Sequence, residues 1–397
     1  MWIYKEDSII SYEQIIVLSD LFMIVAFFAI PATKKSMTIK LSKMTVVTLS
    51  FAAAYIPLAQ TNYFIYIILF FLTLVCSALF LCALNEKNKV WFSIADIMLV
   101  LAVVSLIFYL GGTVFNIIPN SGITTFEWSY TRTCNNYYNL YYESQKLNMG
   151  GGFFTTRNCG IFTEAPMYSF LLGVSLAVET FLRNSVNKKK CLIYILTIIT
   201  TRSTTGILCI LLCAFLYYVN KALRSKKHDI KRTLVFVLFF GVIGVAAVVL
   251  SNKLEQVSGS NSTSIRSDHV LACLKAWLEN PIIGQGYLNQ DAVMQYEDYQ
   301  QGISIGLLYM LATGGIILFS TLLLPFIVNA IRCIKRKQYE QFSFGIVILF
   351  LYFLTAITGT PIIISFIAFL AEGTSVGARE DLNFIENYQK SRVRIKI

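Results

Sequence analysis

CLIYILTIITTRSTTGILCILLCAFLYYV, residues 191–219, is apolar over almost its whole length and carries a single charge, Arg202, near its middle. An arginine at mid-bilayer costs roughly 2.5–3.5 kcal/mol on insertion scales, so it faces a bundle interior or a watery cavity and pairs with something negative. Both flanks are basic. Arg183, Lys188, Lys189 and Lys190 precede the stretch, and Lys221, Arg224, Lys226, Lys227, Lys231 and Arg232 follow it. Lysine and arginine collect on the cytoplasmic side, so an even number of passes joins the two flanks. Each half has only about 10 to 14 residues, roughly 15–21 Å of helix. The stretch therefore reads as a short re-entrant or buried helical hairpin with Arg202 at its tip. Thr200, Thr201, Ser203, Thr204 and Thr205 are there to satisfy backbone groups freed at the turn.

Composition places this hairpin in a membrane. The chain has 397 residues, 56% hydrophobic and 14% charged, with a mean hydropathy of +0.63. Soluble domains carry about 25% charged residues. Apolar runs of spanning length recur at 15–30, 44–59, 63–84, 90–110, 161–182, 234–250, 303–328 and 342–358, and a shorter one lies at 361–371. The expected fold is an all-α polytopic membrane protein with about nine full spans plus the hairpin. It forms a single integral-membrane domain over residues 1–397, with extracytoplasmic loops at about 111–160 and 251–302.

The net charge of +11 lies in short loops, among them Lys34, Lys35, Lys40 and Lys43, and Arg332, Lys335, Arg336 and Lys337. That distribution reports orientation and argues against a nucleic-acid partner. No cleavable signal peptide is evident, because Lys5 is offset by Glu6 and Asp7. Of nine cysteines, Cys134 and Cys159 share one polar loop and are placed to pair if it is extracytoplasmic. No C-x-x-C spacing occurs, and no metal site is expected.

The loop at 111–160 holds Tyr130, Cys134, Tyr137, Tyr138, Tyr141 and Tyr142 at near-helical spacing. They read as an aromatic platform for sugar rings or an amphipathic interfacial helix. Gly150, Gly151 and Gly152 form a hinge before Arg157. Glu164 then stands where the loop enters a span, as half of an ion pair with Arg157 or as a general base. In the second loop Ser267 caps a short helix with Val270, Leu271, Leu274 and Trp277 on its apolar face, ended by Asn280-Pro281. Arg266 at that helix start is an anion cradle or a surface partner of Asp268. Gly284-Gln285-Gly286-Tyr287 reads as a tight turn or a close backbone approach.

Five segments resemble, in order and spacing, the O-antigen polymerase and ligase superfamily of bacterial envelope glycan assembly. They are RNCGIFTEAP at 157–166, TRSTTG at 201–206, RSDHVLACLKAW at 266–277, NPIIGQGY at 280–287 and LATGGI at 311–316. The resemblance implies a metal-independent, cofactor-free, inverting glycosyltransferase at the outer face of the bacterial cytoplasmic membrane. Its substrate is an undecaprenyl-pyrophosphate-linked oligosaccharide, and its implied partners are membrane lipid, a chain-length regulator and a flippase. Arg157, Arg202 and Arg266 then bind the pyrophosphate, Glu164 or in reserve His269 acts as base, and Gly284, Gly286 and Tyr287 position substrate. Polymerases of this kind move a growing chain onto the next lipid-linked repeat unit, whereas ligases move finished glycan to another acceptor. Ligases carry a histidine about eleven residues before a glycine. Ser304 holds that spacing before Gly315 here, which favours polymerase. The competing class is a flippase for the same lipids, with Asp20, Asp96 and Glu179 in a proton pathway.

Overall fold

The computed structural model describes residues 12–29, 41–58, 64–84, 87–128, 130–148, 154–224, 262–298, 305–355, 357 and 359–372. Within these the helices are α1 (Tyr12–Ala29), α2 (Lys43–Tyr55), α3 (Phe64–Ala83), α4 (Asn88–Phe108), α5 (Ala165–Ala177), α6 (Lys188–Thr201) and α7 (Thr204–Arg224). After these come α8 (Ser262–Glu279), α9 (Asp291–Met294), α10 (Gly306–Lys335), α11 (Tyr339–Leu354) and α12 (Pro361–Glu372). The expected span at 234–250, the glycines at 150–152, Ser304 and the basic C-terminal tail lie outside the described residues.

Five helices are long and apolar enough to cross a membrane: α3, α4 with its continuation to Val114, α5 with its continuation to Leu182, α7 and α10. Helices α11 and α12, and apolar stretches of α1 and of α2 with the turn after it, are shorter. Nine full spans are thus not reached among the described residues. Helix α5 is the most enclosed of the five, packed between α4, α6, α7 and α11.

The hairpin around Arg202 is present, but its arms are unequal. Helix α6 has 14 residues, whereas α7 has 21, roughly 32 Å at 1.5 Å per residue, enough to cross a hydrocarbon core. The expectation of two short arms is corrected. Helix α7 runs past the apolar stretch because Asn220, buried near its end, donates to Ser343 Oγ of α11 at 3.0 Å.

The outer segment also departs from an all-helical fold. It forms β1 (Gly122–Trp128), β2 (Tyr130–Tyr137) and β3 (Tyr141–Tyr142) in one antiparallel sheet, and β4 (Lys146–Asn148) with β5 (Phe154–Thr156) in another. Ile123, Thr124, Thr125, Phe126, Thr131 and Thr133 are β-branched or aromatic residues that favour strands. Neither an interfacial helix nor a helical platform of tyrosines forms here. Tyr138 and Asn139 turn the chain with φ of 55° and 57°, so Tyr137 and Tyr141 face each other, ring centroids 5.5 Å apart.

Helix α8 starts at Ser262, well before the expected cap at Ser267. Its buried face is His269, Ala272, Cys273 and Ala276, while Leu271 is exposed. Small residues win that face because it lies close against Tyr309 and Ala312 of α10.

Helix α10 is itself broken at Gly315, φ 58° and ψ −169°. The chain after α8 docks into the break. Ile316 N donates to Pro281 O at 3.0 Å, Ile317 N to Ile282 O at 3.3 Å, and Gln285 N to Ala312 O at 3.0 Å. Tyr55 of α2 closes the joint, its hydroxyl donating to Ile283 O at 2.8 Å and Thr313 O at 3.1 Å. A Cβ on Gly284, where φ is +77°, would lie 2.4 Å from Gly315 N. Gly284→Ala should therefore destabilise by more than about 1 kcal/mol. Gly345→Ala in α11 meets only Phe326 at 3.8 Å and should be neutral or stabilising. Thermal unfolding in detergent checks the contrast.

Candidate functional site

Where α6 ends, its last carbonyls and the first N–H groups of α7 lose their helical partners. Arg157, Asn158 and Ser203 supply replacements. Arg157, 9% exposed, donates from Nε to Thr201 O at 2.8 Å and from Nη2 to Arg202 O at 3.3 Å. Asn158, fully buried, gives its N–H to Thr200 O at 3.1 Å and its Nδ2 to Thr200 Oγ1 at 3.0 Å. On the α7 side, Ser203 Oγ accepts from Gly206 N at 3.4 Å and from Ser169 Oγ of α5 at 2.9 Å. Ser203 N in turn donates to Thr201 Oγ1 at 3.2 Å.

Arg202 itself is left-handed, φ 51° and ψ 31°, in the position after a helix that glycine usually takes. Its side chain is exposed, and no described residue bonds its guanidinium. Arg266 arrives from α8, and its Nη2 donates to Thr205 Oγ1 at 3.4 Å. This corrects the expected cradle. Arg266 sits in the second turn of α8, so the helix N-terminus it reaches is that of α7. It does not serve Asp268, whose Oδ2 accepts from Asp298 N at 2.9 Å.

Burial lowers the pKa of both Arg157 and Arg266 from the ordinary arginine value, and Arg266 and Arg202 lower that of Arg157 further. Arginine stays protonated through shifts of this kind. Arg157 therefore lies within electrostatic reach of Glu164, Arg266 and Arg202. With guanidinium groups outnumbering carboxylates here, the charge balance at the break favours an anion.

Glu164 caps the start of α5 in an extended conformation, with Pro166 in the first turn. It is half of an ion pair, but with Arg132 rather than Arg157: Arg132 Nη2 lies 3.3 Å from Glu164 Oε1. Sequence reading missed Arg132. A signal was present, since every earlier cation in the chain is lysine and Arg132 is its first arginine. His269 is 1% exposed, with Nε2 3.8 Å from Glu297 Oε1, and burial lowers its pKa below the usual histidine value. It is enclosed beneath α8 rather than turned to the break.

Gly284 and Tyr287 take packing positions. Gly284 abuts the α10 break, and Tyr287 is 1% exposed with its ring 5.3 Å from Phe70. Gly286, φ 98°, completes that turn and accepts Asn289 N through its carbonyl at 2.9 Å. The carboxylates considered for a proton pathway are bonded through one oxygen each, while Asp20 Oδ1 and Glu179 Oε2 are buried without a hydrogen-bond partner among the described residues. Asp96 bonds Arg183 at 2.6 Å and Lys190 at 2.7 Å, Glu179 bonds Arg183 at 2.6 Å, and Asp20 accepts from Thr73 at 3.1 Å. No family model, curated protein or solved structure matches the chain.

The two arginines at the break separate stability from function. Arg157→Ala strips partners from two carbonyls and should cost roughly 1.5–3 kcal/mol. Arg202→Gly relieves a left-handed side chain and should gain on the order of 1 kcal/mol, while removing the exposed guanidinium. Unfolding midpoints of the two variants, moving in opposite directions, check this assignment.

Proposed function

We propose that this chain is a membrane glycosyltransferase that polymerises a surface polysaccharide at the outer face of the bacterial cytoplasmic membrane. It moves a growing glycan from its undecaprenyl-pyrophosphate carrier onto the next lipid-linked repeat unit. The observation that carries the reading is the gathering of Arg157, Arg202 and Arg266 at the start of α7. A helix N-terminus with arginines beside it suits a pyrophosphate, and Arg202 is the one left open to bind it. The basic residues on both flanks of α6 and α7 support a placement of this break toward the outer face.

In this reading an acceptor hydroxyl attacks the anomeric carbon of the donor sugar. The bond from that carbon to the pyrophosphate oxygen breaks, and configuration inverts. Charge builds on the leaving pyrophosphate, where fixed cations stabilise it. Glu164 is the base. Its Oε1 is held by Arg132, which leaves Oε2 to take the hydroxyl proton. His269, shut beneath α8, is the weaker candidate.

Purified protein in liposomes with lipid-linked repeat units tests the proposal. A ladder of lengthened lipid-linked glycans is expected. A single transfer to another acceptor would indicate a ligase, and movement of the lipid without covalent change would indicate a flippase. Arg202→Ala should slow ladder formation about 10²–10³-fold, and Glu164→Gln about 10²–10⁴-fold, without loss of folded protein. Wild-type rates from both variants would sink the assignment of these residues.

A further inference from the structure

Two arginines of the site are followed, two positions on, by a cysteine: Arg132-Thr133-Cys134 and Arg157-Asn158-Cys159. The fold brings these cysteines to one place. Strands β2 and β3 pair Asn136 with Tyr142, and Glu143 N donates to Asn135 O at 3.1 Å, so the register carries on to set Cys134 opposite Ser144. Directly opposed residues share a face, with Cβ atoms about 4.5–5.5 Å apart. Cys134 packs against Tyr142, and Tyr142 N donates to Gly160 O at 3.0 Å, pinning the loop that carries Cys159 to the strand. Both cysteines are buried, at 7% and 0% exposure. Both are free thiols in this structure, held where the loop meets the strand, and each sits two residues from a cation of the site.

We propose that Cys134 and Cys159 form an intramolecular disulfide that fixes the strand bearing Arg132 to the loop bearing Arg157. The inference rests on the outer placement of residues 111–160 given above, because disulfides persist in oxidising surroundings. The oxidant is a disulfide-bearing exchange partner outside the membrane. One cysteine thiolate attacks it, forming a mixed disulfide and releasing one thiol. The second cysteine thiolate then displaces the other thiol and closes the bond. The two protons end on the two released thiols, and the oxidant takes up the two electrons. Burial pushes the Cys134 and Cys159 thiols up to about 12 and about 11, so in the finished fold they are protonated and slow to react. The exchange therefore belongs to folding, before the sheet closes over them.

The consequence for the site is geometric. With the bond in place, the Arg132–Glu164 pair and the Arg157 contacts to the break move as one body. Without it they are joined only by hydrogen bonds.

The full chain, with free thiols blocked by N-ethylmaleimide at cell lysis, provides the test. After denaturation, reduction should expose two new thiols to a polyethylene-glycol maleimide. Peptide mapping of unreduced wild type should yield the 134–159 cross-linked pair, and this measurement does not depend on any variant folding. In Cys134→Ser, Cys159 should label without reduction. No new thiols after reduction, or a cross-link between two chains instead of within one, overturns the proposal. Adding diamide while the chain is being made and folded, before the sheet closes over the thiols, separates the causes. A 134–159 bond formed only then keeps the geometry but refutes the outer placement, and with it the bond in cells. No bond under either condition refutes the geometry and leaves the ladder assay to decide the function.

Discussion

Every helix that stops inside an apolar bundle leaves carbonyls and N–H groups that must be bonded, because water is too scarce to do it. At the α6–α7 break the solution is a guanidinium. Arg157 spans two carbonyls at once, as only the planar arginine fork can. That single contact ties the outer loop to the helix pair, and Asn158 beside it bonds Thr200 and Ser105 as well. Arginine at position 157 is thus structural first. Its charge near the site follows from the bonding that the break demands.

The α10 break is solved differently, with backbone alone. Pro281, Ile282 and Gln285 bond across it, and the close approach excludes any side chain at Gly284 and Gly315. One break is closed by a glycine turn and brings no net charge. The other is closed by side chains and brings cations. The contrast leaves cations at the first break and packed backbone at the second, although the sequence marks both with equally conspicuous motifs.

Much of this was legible in residues 191–219, because charge symmetry on two flanks is a global constraint that local propensity cannot disguise. The length of α7 was not, since an apolar run ends where polar residues begin, whereas a helix ends where its bonds do. Asn220 is polar and yet buried, bonded to Ser343. The sheet at 122–142 was misread because tyrosines near a period of 3.5 also alternate along paired strands, and only cross-strand partners distinguish the two. Position 266 was misread through Ser267, a good cap residue that sits in mid-helix. Arg132 escaped because its partner Glu164 is 32 positions away, beyond any spacing rule.

Arg202 remains the residue whose presence packing does not explain. Its carbonyl is needed by Arg157, but a carbonyl is common to all residues. Its backbone conformation suits glycine better, and a non-glycine residue there costs roughly 1–2 kcal/mol. Its guanidinium is exposed and repels that of Arg157. Conformation and electrostatics both disfavour arginine at this position, and no bond to a described residue offsets them. Backbone strain of this kind persists where function needs the side chain. An anion drawn to the break would reverse the electrostatic part of the cost, because the same charges that repel each other would then attract it together. The strain at Arg202 and its repulsion of Arg157 are therefore two aspects of one arrangement, in which conformation and charge both weigh against arginine unless an anion is bound.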